Sequence, residues 1–430
     1  MAWPTMTLAQ AGVALIDCVH ATPAAMTAGL PYIAIPQMKD GRLDFDGARK
    51  ISRADFIEWT RKARPQRHDI VLSRRTNPGV IAPVLDDTEF ALGQNLVLLR
   101  ADGQTVAPSF LRWLASSPYW WDQIAKFNNV GAIFDSLRCA DVPNFELPIP
   151  PISEQLRIAD LLAALDDKIE LNRRMNATLE RQARALFRDW FVDFGPTRAK
   201  QSGAPAYLAP NLWNLFPATL DSEGKPEGWR SFSVGELATQ NTASINPFSS
   251  PDQLFEHYSL PAYDSGQSPA IDLGETIKSN KTIVPECAVL LSKLNPEISR
   301  VWLPDPKGQL QQVASTEFLA FVAEPWVGRN FLHYLFAEPT FRQTLEGMVT
   351  GTSKSHQRIS PPALRAMQAV IADPAIIGAY NTTIAPMVEQ LTANRLQSRT
   401  LAQTRDLLLP KLMSGEIRVA AAEREMSAVL

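Results

Sequence analysis

The stretch from Ile158 to Trp190 runs for 33 residues without a glycine or proline and reads as one helix. One side of it steps by four and three: Ile158, Leu162, Leu165, Ile169, Asn172, Asn176, Leu179, Ala183, Leu186, Trp190. Positions three and four apart share a face of a helix, and so narrow an apolar stripe calls for a second helix against it. The stripe is polar only at its middle, at Asn172 and Asn176. A buried amide pair costs stability but penalises slipped registers, in which an amide would face leucine unpaired. The competing reading is that these asparagines are ordinary polar interruptions near solvent.

The partner is present in the same chain, because the sequence repeats. NRRMNATLERQARALFRDWF (172–191) matches NRLQSRTLAQTRDLLLPKLM (394–413) at an offset of 222. SFLRWLASSPYW (109–120) matches NFLHYLFAEPTF (330–341) at 221, and DIVLSRRTNPG (69–79) resembles AVLLSKLNPE (288–297) at about 218. Three blocks in one order at nearly constant offset imply a duplicated unit followed by a duplicated helix. The second stripe includes Ile377, Tyr380, Ile384, Met387, Leu391, Asn394, Ser398, Leu401, Arg405, Leu408 and Leu412, with Pro386 as a kink or a helix start. Antiparallel pairing of equivalent helices would give a pseudo-two-fold arrangement about Asn172 and Asn394. The expected class is α+β: two repeated mixed α/β domains joined by two long helices that form an antiparallel coiled coil. The expected divisions are a first domain at 1–150, a helix region at 151–193, an irregular linker at 194–227, a second domain at 228–373, a second helix region at 374–418 and a fraying tail at 419–430. HDIVLS, FALGQNLVLLR and ECAVLLSKL read as buried strands. SFLRWLASSPYWWDQIAKF and FLHYLFAEPTFRQTLEGM read as amphipathic helices broken near a proline.

Composition sets limits. The chain has 430 residues, 45% of them hydrophobic and 20% charged, enough for two or three ordinary globular domains. No run of about 18 uncharged apolar residues is present, so no membrane partner is expected. The first residues, MAWPTMTLAQAGVALIDC, lack a basic leader segment, and Cys18, Cys139 and Cys287 lie far apart. Neither a secretory signal nor a zinc or disulfide framework is expected, and a reducing cytoplasm is the simplest compartment.

Net charge is −3, which by itself points to no polyanionic partner. Residues 46–75 nevertheless hold nine Lys/Arg against four acids. Such a local excess is either a solvated face or the footprint of phosphate contacts. The candidate DNA-contacting residues in the first domain are Arg61, Lys62, Arg64, Arg67, Arg74, Arg75, Asn77 and, in the later loop 128–138, Arg138. In the second domain they are Lys293 and Asn295, with Lys354, Ser355, His356, Gln357 and Arg358 in the loop 351–360. Lysine and arginine neutralise phosphates; arginine, asparagine and glutamine can read base edges. For each arginine the bland alternative is a surface ion pair.

Catalytic signatures are missing from the sequence. NPF at 246–248 lacks the second proline of an adenine-methyltransferase loop, and PDPK at 304–307 is too compact for a nuclease core. No GxGxxG, GxxxxGK[ST] or HExxH occurs, and the five histidines are scattered.

CVHATPAAMTAGLPYIAIPQMKDGRL, then DIVLSRR, then IPPISEQLRIADLLAALDDKIELNRRMNATLE, then PEGW (226–229) and LLPKLMSGEI (408–417), resemble in order and spacing the specificity subunit of type I restriction–modification systems. The resemblance implies a non-enzymatic DNA-recognition subunit that reads one half of a split duplex target with each domain. It implies that the helices act as spacer and as platform for two methylation subunits, which bind S-adenosylmethionine. Restriction subunits using ATP with magnesium would join that core, and no cofactor would sit on this chain. Two departures stand out. The family often has Gly-Asp before its first VLxS strand, where this chain has His68-Asp69, and the second helix lacks the PPISEQ start. Two other readings compete: a coiled-coil adaptor without DNA readout, and the recognition part of a single-chain restriction–modification enzyme.

Overall fold

A computed structural model describes residues 3–39, 41–128, 135–350 and 357–426. The chain divides into two compact units: Met1–Glu170 together with Ser398–Leu430, and Leu171–Gln397.

Each unit is built on a four-stranded antiparallel sheet of the same topology. In the first unit the strands are β1 (Val13–Asp17), β2 (Ile70–Ser73), β3 (Ile81–Pro83) and β4 (Leu96–Ala101), in the order β1-β4-β2-β3. In the second they are β5 (Ala238–Asn241), β6 (Ala288–Ser292), β7 (Val301–Trp302) and β8 (Phe318–Ala323), in the order β5-β8-β6-β7. The central strands IVLS and AVLLS are buried at every position, as apolar runs packed on both faces must be. FALGQNLVLLR is not one strand: Gly93-Gln94-Asn95 turn the chain between Ala91–Leu92 and β4, with the Leu96 amide donating to the Gly93 carbonyl at 2.9 Å. A Cβ on Gly93 would meet the Ile33 carbonyl at 2.9 Å, so glycine permits this approach. The units differ in their second sheet, three-stranded in the first and five-stranded in the second.

The amphipathic pairs fall as expected, at Pro108–Leu114 and Pro118–Phe127, and at Arg329–Ala337 and Pro339–Glu346. Proline opens the second helix of each pair, where its missing N–H costs nothing.

The long helices span Ile152–Phe191 and Pro374–Ser414. Within the first unit, Ile158, Leu162 and Leu165 share a core with Leu401, Leu408 and Leu412, and Ile169 packs at its edge. Within the second, Ala183, Phe187 and Trp190 share a core with Ile377, Tyr380 and Ile384, while Leu391 is buried and Leu179 half-buried. The Tyr380 hydroxyl donates to the Ala183 carbonyl at 3.1 Å, and Asn172 meets Gln397, so rising numbers on one helix face falling numbers on the other. The pairing is antiparallel. Asn172 and Asn394 are buried in it and Asn176 is half-buried: Asn394 Nδ2 donates to Asn176 Oδ1 at 2.8 Å, and Asn172 Nδ2 to Gln397 Oε1 at 2.9 Å. Asn172 and Asn394 are 1% and 3% exposed, which excludes for these two the reading as solvent-facing interruptions. The second helix runs through Pro386 without a break; Pro386 and Thr382, whose carbonyl loses its helical donor, are both exposed to water.

A carboxamide staples each long helix to the start of a short one. Gln155, from PPISEQ, is fully buried: Oε1 accepts the Ala107 amide, and Nε2 donates to the Thr105 and Pro150 carbonyls. In the second unit Asn381 does the same work, accepting the Phe331 amide and donating to the Val327 carbonyl. The missing PPISEQ is therefore replaced by an asparagine further along the helix.

Charged joints complete these attachments. In the first unit Asp166 lies between Arg112 and Arg405. In the second, Glu180 pairs with Arg184 at 2.9 Å, accepts the Tyr334 hydroxyl at 3.2 Å and lies 4.0 Å from His333. Burial works against the Glu180 charge, but His333 and Arg184 outweigh it and hold its carboxyl well below the usual range. Burial holds the His333 imidazole below its ordinary value despite Glu180.

Two expectations are corrected. The linker is not irregular throughout: Gly195–Gln201 and Pro210–Trp213 are helical, each with proline in its first turn, and Phe216 enters the second unit's core. The segment after 418 does not simply fray: Val419–Met426 is a helix whose Val419 and Ala422, one turn apart, are buried in the first unit's core.

Candidate nucleic-acid interface

The tip of each four-stranded sheet is made by one repeated local device. The Ser73 hydroxyl donates to the Arg75 carbonyl at 3.0 Å, and the Ser292 hydroxyl to the Leu294 carbonyl at 3.0 Å. Thr76 and Asn295 then adopt left-handed backbone, with φ of 67° and 50°. At the other end of the same strands His68 and Cys287 do likewise, at 74° and 59°. The conformation that glycine would supply before the strand is thus kept by His68, and the turn is preserved.

Two further segments close on each tip. The Arg74 amide donates to the Asn95 carbonyl, and the Leu137 amide to the Arg74 carbonyl. In the second unit the Lys293 amide donates to Glu317, the Ile359 amide to Lys293, and the Asn295 amide to Gln357. The residues after each central strand therefore pair with the described end of the later segment, Leu137 in the first unit and Gln357 and Ile359 in the second. Asn295 corresponds structurally to Thr76 rather than to Asn77.

The candidate residues divide. Arg75, Asn77 and Arg138 are exposed around the first tip, and Lys62 reaches it by donating to the Cys18 carbonyl at 3.3 Å. Arg74 turns inward: its side chain is only 12% exposed and lies 4.0 Å from Asp17. Arg64 and Arg67 belong to the opposite end of β2. The Arg64 guanidinium lies over Phe56 and near Glu89, while its carbonyl is held by Arg100, which pairs with Asp69. Arg61 is exposed beside Glu58. In the second unit Lys293 and Gln357 are half-buried, and Arg358 is engaged with Glu317 at 2.9 Å. Lys354, Ser355 and His356 lie outside the described residues.

Sequence reasoning missed a cleft of about 570 Å³ beside the first tip, lined among others by Tyr32, Gln37, Arg49, Thr76, Gln94 and Asn95. Its signal was the GQN inside an apparent strand. Behind it, His20 bridges Asp17 at 2.8 Å and the Gln94 carbonyl at 3.2 Å. Burial opposes the Asp17 charge, but His20, Arg74 and Lys62 hold its carboxyl below the usual range. Asp17, Cys18 and His20 bring donor atoms within 4.8 Å of one another. Burial and Asp17 push the Cys18 thiol up to about 11. The cluster acts as a clamp on the Gln94 turn. Among the described residues, no helix is long and apolar enough to cross a membrane.

The profile of the type I restriction modification DNA specificity domain matches residues 23–181. The HindI type I restriction enzyme specificity subunit of Haemophilus influenzae is 23% identical over 418 residues, covering 86% of this chain and 90% of the relative. The MjaIX specificity subunit of Methanocaldococcus jannaschii is 25% identical over 303 residues, covering 67% and 64%. The crystal structure of a type I restriction–modification S subunit from M. genitalium superposes with a TM-score of 0.54 at 14% identity, covering 95% and 96%.

Proposed function

The chain belongs to the family of type I restriction–modification DNA specificity subunits, and from that premise we propose how its parts divide the work. Each unit reads one half of a split duplex target through the tip of its four-stranded sheet. Exposed lysines and arginines contact phosphates, and neighbouring polar side chains read base edges. The observation that carries this reading is the repeated tip: one backbone device, Ser73/Ser292 followed by left-handed Thr76/Asn295, presents different side chains in the two units. Two readers of different half-sites need that combination.

The chain supplies no catalytic group in this reading. Two methylation subunits bring S-adenosylmethionine, and restriction subunits bring ATP with magnesium, in the cytoplasm. The long helices carry Leu156, Leu171, Met175 and Leu407 exposed, which supports partner docking along them.

Genome-wide adenine methylation tests the proposal, in cells carrying the chain with its methylation partner and in cells lacking only this chain. A split, asymmetric motif that loses methylation with the chain is the expected result. Identical methylation in both would favour an adaptor without DNA readout.

A further inference from the structure

Gln94 and Asn95 sit on a turn that no regular element requires, and the structure spends several interactions on fixing it. Gly93 is held by the Ile33 carbonyl at 2.7 Å, the Gln94 carbonyl faces the His20 ring, and the Asn95 carbonyl takes the Arg74 amide. All these bonds use backbone atoms of the turn. Among the described residues neither the Gln94 nor the Asn95 carboxamide makes a hydrogen bond, while both residues line the cleft and Gln94 is exposed. Of the longer polar side chains on the other walls, Gln37 Oε1 accepts the Ala34 amide, Arg49 donates to the Pro23 carbonyl, and the Tyr32 hydroxyl donates to the Ala21 carbonyl. Arg75 and Asn77 stand exposed on the adjoining loop.

The geometry points to Gln94 and Asn95 as base-reading, specificity-determining residues of the first unit, with an adenine as the base they select. This inference rests on the DNA-reading proposal above and names its chemistry. A carboxamide offers one donor and one acceptor side by side, which matches the N7 acceptor and N6 amino group of adenine in the major groove. An amide held ready by a backbone-clamped turn loses little freedom on binding. The same place in the second unit gives an independent contrast. The carbonyl that receives the Lys293 amide there belongs to Glu317, whose carboxylate cannot donate and is engaged by Arg358. The two units therefore cannot read the same base in the same way.

The test uses the complete chain with its methylation partner, comparing wild type with Gln94→Ala, Asn95→Ala and the double variant. Genome-wide methylation should lose its constraint at one or two adjacent A·T positions in one half of the motif, with the other half and the spacing unchanged. Binding to duplexes altered singly at each position should lose a discrimination of roughly 5- to 150-fold at that position, with an unchanged dependence on salt. An unchanged motif from the double variant overturns the inference, as does an equal loss of affinity for every duplex. A double variant that methylates nothing is decided by binding: a loss confined to the first unit's half-site supports the assignment, and a uniform loss overturns it. A wild-type chain that directs no motif at all sinks the DNA-reading proposal itself, and with it this inference.

Discussion

Ser73 and Ser292 end equivalent strands, turn the chain with the same hydroxyl-to-carbonyl bond and precede residues in the same left-handed conformation. Beyond that backbone the two tips part company. The first exposes Arg75, Asn77 and two open carboxamides; the second folds Arg358 back onto Glu317. The joints diverge in the same manner. Arg112 and His333 occupy one repeat position, and each faces a carboxylate of the first long helix, Asp166 in one unit and Glu180 in the other. Main-chain bonding is kept where it shapes the scaffold, and side chains are free to change where they meet a partner.

The joints provide the strongest way to break this comparison. Asp166→Ala takes the ion-pair partner from the largely buried Arg112 and one of two from Arg405, which keeps Asp406, and should destabilise the first unit by about 2–4 kcal/mol. Glu180→Ala should cost less, about 1–2 kcal/mol, because His333 can remain neutral and Arg184 is half exposed. Urea melts followed by hydrogen exchange would assign each loss to its unit, and equal losses would undo the distinction.

The asparagine layer comes next. Asn394→Leu leaves Asn176 and Gln390 without their buried partner, and should cost about 1–3 kcal/mol. Replacing Asn172, Asn176 and Asn394 together by leucine should recover most of that, at the expense of a unique register. Cross-linking of cysteines placed along both helices would report it: one set of pairs for the native layer, several for the triple variant.

A smaller effect separates the joints by pH. The folded-state pKa of His333 lies below 6.5, so its contribution is complete above 6.5 and is lost as pH falls and the unfolded chain takes up a proton more readily. The second unit should weaken by up to about 1.4 kcal/mol per pH unit below that point. His333→Gln should flatten this slope, and Arg112 contributes none between about pH 5 and 7. A slope unaffected by His333→Gln would remove the histidine from the account.

The gentlest change sharpens the tips. Glu317→Asn gives the second unit the residue of the first and removes the carboxylate that engages Arg358. Stability should barely move, since Arg358 is exposed and Glu317 only half-buried, while the salt slope of DNA binding should steepen by about one unit. An unchanged slope would mean that Arg358 contacts no phosphate even without Glu317 beside it.

Much of this was legible in the sequence. The two long helices, the strands IVLS and AVLLS and the proline-broken helix pairs follow local periodicity, and the repeat placed them in order. The misses share a cause. Gln94 and Asn95 looked like strand because their neighbours alternate as a strand does, and only the approach to Ile33 makes them a turn. Asn381 replaces Gln155 through bonds to residues some fifty positions away, which no local pattern records. Val419 and Ala422 are too few to announce a helix, and are recognisable only once a core waits for them. Among the basic residues, sequence could count the charges of 61–77 but not divide them between the two ends of one strand.

The first unit is discontinuous. Its core holds Leu401, Leu408, Leu412, Val419 and Ala422 from Ser398–Leu430, whereas the second unit is the unbroken stretch Leu171–Gln397. On the ribosome the order of emergence and the order of completion are therefore inverted. The second unit has all its residues as soon as Gln397 is made, while the first, begun earlier, waits with an open apolar face for a segment synthesised afterwards. A nonsense codon near 398 would spare the unit encoded in the middle of the message and disable the one encoded at its start.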